Sequence, residues 1–228
     1  MEVLEKIKKG VIISCQAMKS EPLYNEIAMQ ALIKEVLRAN PDGLRLAGVR
    51  DIAFAKENFP QVPIIGITKP DIIPENFKEL VYITPTLEDV EKLATAGADI
   101  IAFDGTIRER ETSVIDLISK IHKMGKLAMA DISTLKEGIE AEKFGADIVS
   151  TTLSGYVLGQ EKNMEIPDFE LLQDLLKNIK IPVILEGRIW EPSHIKKAFE
   201  IGAYAVVVGS AVTRPKDIVM RFIRKGKE

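Results

Sequence analysis

Eight short apolar runs divide the 228 residues, each separated from the next by a segment with helical patterning. They are Val11–Cys15, Gly43–Leu46, Val62–Ile67, Asp99–Phe103, Lys126–Ala130, Asp147–Ser150, Pro182–Leu185 and Tyr204–Val208. Most lack the apolar–polar alternation of a half-buried strand, so both faces must be covered. Between them, segments such as Leu87–Ala96, Val114–Met124 and Leu135–Phe144 keep their charges on one helical face. Strands alternating with helices of this length specify a parallel sheet. Eight such units close into a (β/α)8 barrel, a TIM barrel, more readily than they stack as an open sheet. The length suits one barrel and is short for two domains. The expectation is one barrel domain over residues 1–228 with a short N-terminal helical extension. Val81-Tyr82-Ile83 reads as a short extra strand.

A weak internal repeat accompanies the runs. Gly97-Ala98-Asp99, Gly145-Ala146-Asp147 and Gly202-Ala203-Tyr204 open the fourth, sixth and eighth. The glycine ends each helix and turns the chain into the next strand. This rhythm fits a barrel whose alternate strands fill alternate layers. Ordinary helix-to-strand loop chemistry accounts for it equally well.

Composition narrows the function classes. With 31 basic and 34 acidic residues the net charge is −3, which exerts no general pull on nucleic acid or an anionic membrane. The charged N-terminus does not resemble a signal peptide, and no run of 18 apolar residues exists. The single cysteine, Cys15, cannot form an internal disulfide, which suits a reducing cytosol. A cytoplasmic protein with neither nucleic acid nor membrane as partner is expected. His122 and His194 are the only histidines, and both read as surface or packing residues. No Walker loop or Rossmann glycine fingerprint occurs, so no metal and no nucleotide cofactor is expected. Cys15 reads as core packing and Trp190 as packing over a neighbouring loop.

The stretch Ile181–Arg214 carries the clearest functional signal. Val183-Ile184-Leu185 leads into Glu186-Gly187-Arg188, and Ala205-Val206-Val207-Val208 into Gly209-Ser210. In a (β/α)8 barrel the loops after the last two strands commonly hold a phosphate group. Glycine lets backbone N–H groups approach an anion closely, and a following helix N-terminus adds partial positive charge. Polar residues at the C-terminal strand ends are the other candidates. They are Gln16, Arg45, Lys69, Asp104, Asp131, Thr151, Thr152 and Glu186. Counted from Pro63, Leu127 and Pro182, Lys69, Asp131 and Glu186 sit at even offsets on odd strands, so they point the same way. A lysine beside an arginine in a partly dry pocket loses its proton more easily, and a glutamate there can act as an acid. Two longer loops, Ala17–Glu26 and Thr151–Pro167, are lid candidates.

Together these residues resemble a known family. The motifs are Ser14-Cys15-Gln16-Ala17 with Glu21-Pro22-Leu23, Arg45-Leu46-Ala47-Gly48-Val49, Gly66-Ile67-Thr68-Lys69 and Ala130-Asp131-Ile132-Ser133-Thr134. Thr151-Thr152-Leu153-Ser154-Gly155-Tyr156, Glu186-Gly187-Arg188-Ile189 and Val208-Gly209-Ser210-Ala211-Val212-Thr213-Arg214-Pro215 complete the set. In order, from about residue 8 onward, they resemble the bacterial N-acetylmannosamine-6-phosphate 2-epimerases. The resemblance implies a cofactor-independent enzyme that inverts C2 of N-acetylmannosamine 6-phosphate in sialic acid catabolism. It implies proton chemistry at Lys69 and Glu186, and sugar binding by Gln16, Arg45, Asp131, Thr152 and Arg214. Phosphate binding falls to Gly187, Arg188, Gly209 and Ser210. A sugar phosphate is the small-molecule partner, and a homodimer is a possible assembly. Two rival readings stay open: another sugar-phosphate barrel enzyme, and a barrel that binds a sugar phosphate without turning it over.

Overall fold

The computed structural model describes residues 2–228. Its strands are β1 (Val11–Cys15), β2 (Gly43–Ala47), β3 (Ile64–Ile67), β4 (Ile100–Asp104), β5 (Leu127–Asp131), β6 (Ile148–Ser150), β7 (Val183–Glu186) and β8 (Ala205–Val208). All pair in parallel and in sequence order, and β8 returns to β1 to close the barrel. The helices preceding and following them are α1 (Glu2–Ile7), α2 (Glu26–Leu37), α3 (Val49–Asn58), α4 (Leu87–Ala96) and α5 (Val114–Lys123). They continue as α6 (Leu135–Lys143), α7 (Phe169–Asn178), α8 (Pro192–Ile201), α9 (Ser210–Thr213) and α10 (Pro215–Lys225). No helix among the described residues is long and apolar enough to cross a membrane.

Six strands begin one or two residues later than the apolar pattern suggests, and at β4 and β6 the leading aspartate caps the rim instead. Asp42 Oδ2 accepts from the Val11 N–H at 2.8 Å, Asp99 Oδ2 from Ile64 at 3.0 Å and Asp147 Oδ2 from Ala128 at 2.7 Å. Each carboxylate ahead of an even strand thus satisfies an early N–H of the preceding odd strand, a donor that would otherwise be stranded at the barrel edge. Lys56 and His122 hold Asp99 and Asp147 in turn. The glycine–alanine–aspartate repeat is therefore rim chemistry, with the odd–even rhythm of the barrel as its cause. At β8 Tyr204 replaces the aspartate, and its hydroxyl donates to the Leu4 carbonyl at 2.9 Å.

Two apolar layers result. Strand residues facing outward, such as Leu44, Leu46, Ile101, Phe103 and Val206, pack beneath the helices. The inward residues Ile12, Ile65, Ile67, Ile100, Met129, Ile148, Ile184 and Val207 fill the barrel. Helix α1 plugs the N-terminal end: Ile7 is fully buried in this inner cluster, with Val3 and Leu4 packed against it. The C-terminal end stays polar, and there the inward residue of β2 is Arg45.

Val81-Tyr82-Ile83 is not a strand. The segment crosses the barrel mouth, where the Ile83 carbonyl accepts from Asp104 N–H at 3.1 Å, and Thr84 and Thr68 bond reciprocally. Its apolar residues serve the top of the inner cluster, in which Ile83 is buried.

Because Ile7 fills a closed space, Ile7→Ala should cost about 2–4 kcal/mol. Urea unfolding checks this; a loss below about 0.5 kcal/mol would show that the plug adds nothing to stability.

Candidate active site

At the open end the inward-pointing polar residues converge. Lys69 lies two residues beyond β3, and its Nζ donates to Gln16 Oε1 at 2.7 Å. Gln16, one residue beyond β1, donates through Nε2 to Ser14 Oγ at 2.7 Å. Across the mouth, Arg45 makes a two-pronged bond to Asp131, 3.1 Å from Nη1 to Oδ1 and 2.5 Å from Nη2 to Oδ2. The same Nη1 reaches Glu186 Oε2 at 2.7 Å. Thr152 Oγ1 sits 2.8 Å from Asp131 Oδ1 and 3.2 Å from Glu186 Oε2, with Ser150 Oγ behind it at 2.8 Å. Thr151 fixes the Glu186 backbone: its hydroxyl donates to the Glu186 carbonyl at 3.0 Å and accepts from the Glu186 N–H at 3.1 Å.

Burial lowers the Lys69 pKa to about 8, and the Arg45 charge adds to the effect. Glu186 and Asp131 act in the opposite sense. Burial raises Glu186 to about 7, with Asp131 adding and Arg45 opposing. Burial also disfavours the Arg45 charge, yet its two carboxylates more than offset this and its pKa is raised. One amine and one carboxyl group thus titrate near neutrality in one cleft, as proton transfer requires.

The cleft is a cavity of about 340 Å³, near the lower end of the range for small-molecule sites. Gln16, Lys69, Thr152, Glu186, Gly187, Arg188, Gly209, Ser210 and Arg214 all line it. Gly187 turns the chain out of β7 at φ 104°, a conformation other residues rarely adopt. Arg188 follows at φ 59°.

Some expected residues make contacts that the sequence does not show. Arg45 and Asp131 do not form the cavity wall: their side chains are 1% and 0% exposed, sealed beneath it by their own ion pair. The Arg188 guanidinium is occupied by the Thr151–Pro167 loop: Nε donates to the Ile166 carbonyl at 2.8 Å and Nη1 to that of Ser154. Arg214 pairs with Glu21 of the Ala17–Glu26 loop. Asp104 faces Arg108 and Arg110, away from the cavity. Trp190 lines the cavity while Arg221 stacks over its ring at 4.8 Å, so it does more than cover a loop. Among the described residues, no group of three or more metal-ligating side chains is gathered.

Sequence reasoning passed over Ser14, Tyr82 and Tyr156. Ser14 was legible, two positions before Gln16 on the inward face; the tyrosines come from loops whose course no periodicity fixes.

A family model described as "Putative N-acetylmannosamine-6-phosphate epimerase" matches residues 29–228. The chain is 46% identical over 223 residues to a protein of Clostridium perfringens named as such a 2-epimerase, covering 96% of this chain and 98% of that one. It is 43% identical to a like-named protein of Caldanaerobacter subterraneus, covering 100% of this chain and 95% of its relative. A solved structure of the N-acetylmannosamine-6-phosphate 2-epimerase from Clostridium perfringens superposes with a TM-score of 0.90 at 45% identity, covering 97% and 95% of the two chains.

The depressed Lys69 pKa has a consequence for stability. An amine with a folded pKa near 8 binds fewer protons than in the unfolded chain, so stability rises with pH from about 8 toward the unfolded value of about 10.4. Below pH 8 the desolvated charge opposes folding. Lys69→Met should therefore stabilise the free protein by about 2 kcal/mol at pH 7, the full shift being discounted for solvent in the cleft. Thermal melts across this range check it; an equal effect at pH 7 and pH 11 would contradict the shift.

Proposed function

The chain belongs to the N-acetylmannosamine-6-phosphate epimerase family, and from that premise we propose that it inverts C2 of N-acetylmannosamine 6-phosphate to give the N-acetylglucosamine epimer. The observation that carries the reading is the pairing of Lys69 with Glu186, one pKa near 8 and the other near 7, in a cavity rimmed by the loops after β7 and β8. Gly187, Arg188, Gly209 and Ser210 cradle the phosphate, through backbone N–H groups in the case of Arg188, whose side chain is occupied. Binding energy gathered there holds C2 in place.

The chemistry follows from the geometry. Ring opening exposes the C1 aldehyde and makes the C2 proton acidic. Neutral Lys69 takes that proton, and the C2–H electron pair moves into the enolate. Gln16 aims the amine, since its Oε1 accepts from Nζ. Arg45 acts without touching the sugar. Its charge favours neutral Lys69, stabilises negative charge developing above it, and fixes Glu186 through a 2.7 Å bond. Glu186 then returns a proton to the opposite face. Thr152 holds Glu186 and Asp131 in register, and Arg214 closes the first loop over the sugar.

Proton NMR in D2O with EDTA present tests substrate, reaction and exchange together. Product should carry solvent deuterium at C2, and Lys69→Met should lose more than about 10³-fold in rate while still binding phosphate. No deuterium at C2 would end the proton-transfer reading; near-normal turnover by the variant would remove Lys69 from it. The pH dependence of kcat/KM separates two routes. A protonated Glu186 working with a neutral Lys69 gives a bell with limbs near 7 and 8, whereas a plateau above 8 assigns both transfers to Lys69.

A homodimer is part of the proposal. It is supported by Val219, Met220, Phe222 and Ile223 on α10, all exposed, with Phe222 at 76%. Sedimentation should give a dimer that Phe222→Glu weakens; a monomer at all concentrations would withdraw it.

A further inference from the structure

Lys69 is aimed by more than its immediate neighbour. Behind Gln16 stands Ser14, an inward residue of β1 that the proton transfers themselves do not use. It is 7% exposed and lines the cavity. Its Oγ accepts from Gln16 Nε2 at 2.7 Å, and Gln16 Oε1 accepts from Lys69 Nζ at 2.7 Å, so serine, amide and amine form one chain. Ser14 also lies against the loop after β8. A Cβ placed on Gly209 would be 3.5 Å from the Ser14 Cβ and 3.8 Å from its Oγ. The Ser14 carbonyl accepts from Thr213 Oγ1 at 2.5 Å, which ties the same residue to α9. Ser14 thus joins the β8 loop to the lysine beyond β3, two strands that are not neighbours in the barrel.

The direction of this chain matters. A neutral amine is a base only while its lone pair is free. In the observed arrangement Lys69 gives a hydrogen to Gln16, and the lone pair stays available. With the amide turned end for end, Gln16 Nε2 would donate to that lone pair and Oε1 would accept from the serine hydroxyl. A serine free to donate or accept does not choose between the two arrangements. It chooses once its own hydrogen is drawn elsewhere. Ser14 Oγ serves Gln16 as an acceptor and keeps that hydrogen to spare. Negative charge beside Gly209 would draw it toward the β8 loop.

We propose that Ser14 is a positioning residue that couples an anion at the β8 loop to the proton-transfer step. This rests on the epimerase reading above, in which the phosphate occupies that loop. The bound anion draws the serine hydrogen and leaves the serine oxygen to the Gln16 amide. Oε1 is then held toward Lys69, and the amine lone pair faces the sugar. Without the anion the amide samples both orientations, and Lys69 is a base for only part of the time. Ser14 acts through Gln16 and touches neither C2 nor its hydrogen. Binding energy gathered at a remote group is in this way expressed in kcat.

The test reads C2 deuterium exchange by proton NMR, with N-acetylmannosamine 6-phosphate and with unphosphorylated N-acetylmannosamine, the latter with and without inorganic phosphite as a separate dianion. For the phosphorylated sugar, Ser14→Ala should lower kcat about tenfold and leave KM within about twofold, the effect of one hydrogen bond that orients rather than binds. In a Gln16→Leu background the same change should cost less than about twofold, because Ser14 acts through the amide. Phosphite should speed exchange of the unphosphorylated sugar at least about tenfold in wild type, and Ser14→Ala should cut that activation at least about threefold. Equal losses in the two backgrounds, a loss confined to KM, or undiminished phosphite activation in folded Ser14→Ala would each overturn the coupling alone. So would a lack of activation in wild type that turns over the phosphorylated sugar. No exchange of the phosphorylated sugar by wild type would overturn the epimerase reading as well.

Discussion

Arg45 is bound by two carboxylates inside a closed barrel, and the arrangement of the mouth depends on that ion pair. Removing a guanidinium and two carboxyl groups from water is costly, and the attraction between them need not repay it. The return lies in placement. Asp131 on β5 and Glu186 on β7 are drawn to one point from β2, so three non-adjacent strands agree on where the polar layer begins. The pair also sets the electrostatics above it. Its cation helps keep Lys69 close to losing its proton, and it holds Glu186 in line without fully suppressing its raised pKa. Arg45 Nε has no partner among the described residues, a buried donor the protein tolerates beside its cavity.

The loops around the mouth use arginine similarly. Arg188 is tied to carbonyls of the Thr151–Pro167 loop, and Arg214 to Glu21 of the Ala17–Glu26 loop. Glu165, in the former loop, pairs with Arg221 and Arg224 of α10. The last helix thereby reaches the segment that carries Met164 into the cavity, and Arg221 covers Trp190 on the way. Residues remote from the chemistry thus fix the shape of the cleft through a few charge-assisted bonds.

The barrel was legible because parallel strands buried on both faces leave a plain mark, a run of aliphatic residues between helical segments. Lys69, Glu186, Gly187 and Gly209 were legible because polar residues at strand ends must face the mouth. The contacts of Arg45, Asp131 and Arg188 were not. Sequence shows an arginine at a strand position, but cannot show whether its charge meets a ligand or two carboxylates more than 80 residues away. Tyr82 and Ile83 misled for a related reason: an apolar loop dipping into a barrel has the same composition as a strand.

Local patterning by itself determined the eight strand–helix units, their closure into a barrel and the end at which polar residues gather, because hydrophobic periodicity and glycine placement act over short distances along the chain. Only the tertiary structure decided which ionisable groups touch, which are sealed away and which remain free to exchange a proton. Those outcomes depend on desolvation and on charges brought together from distant segments, and neither quantity exists until the barrel has closed.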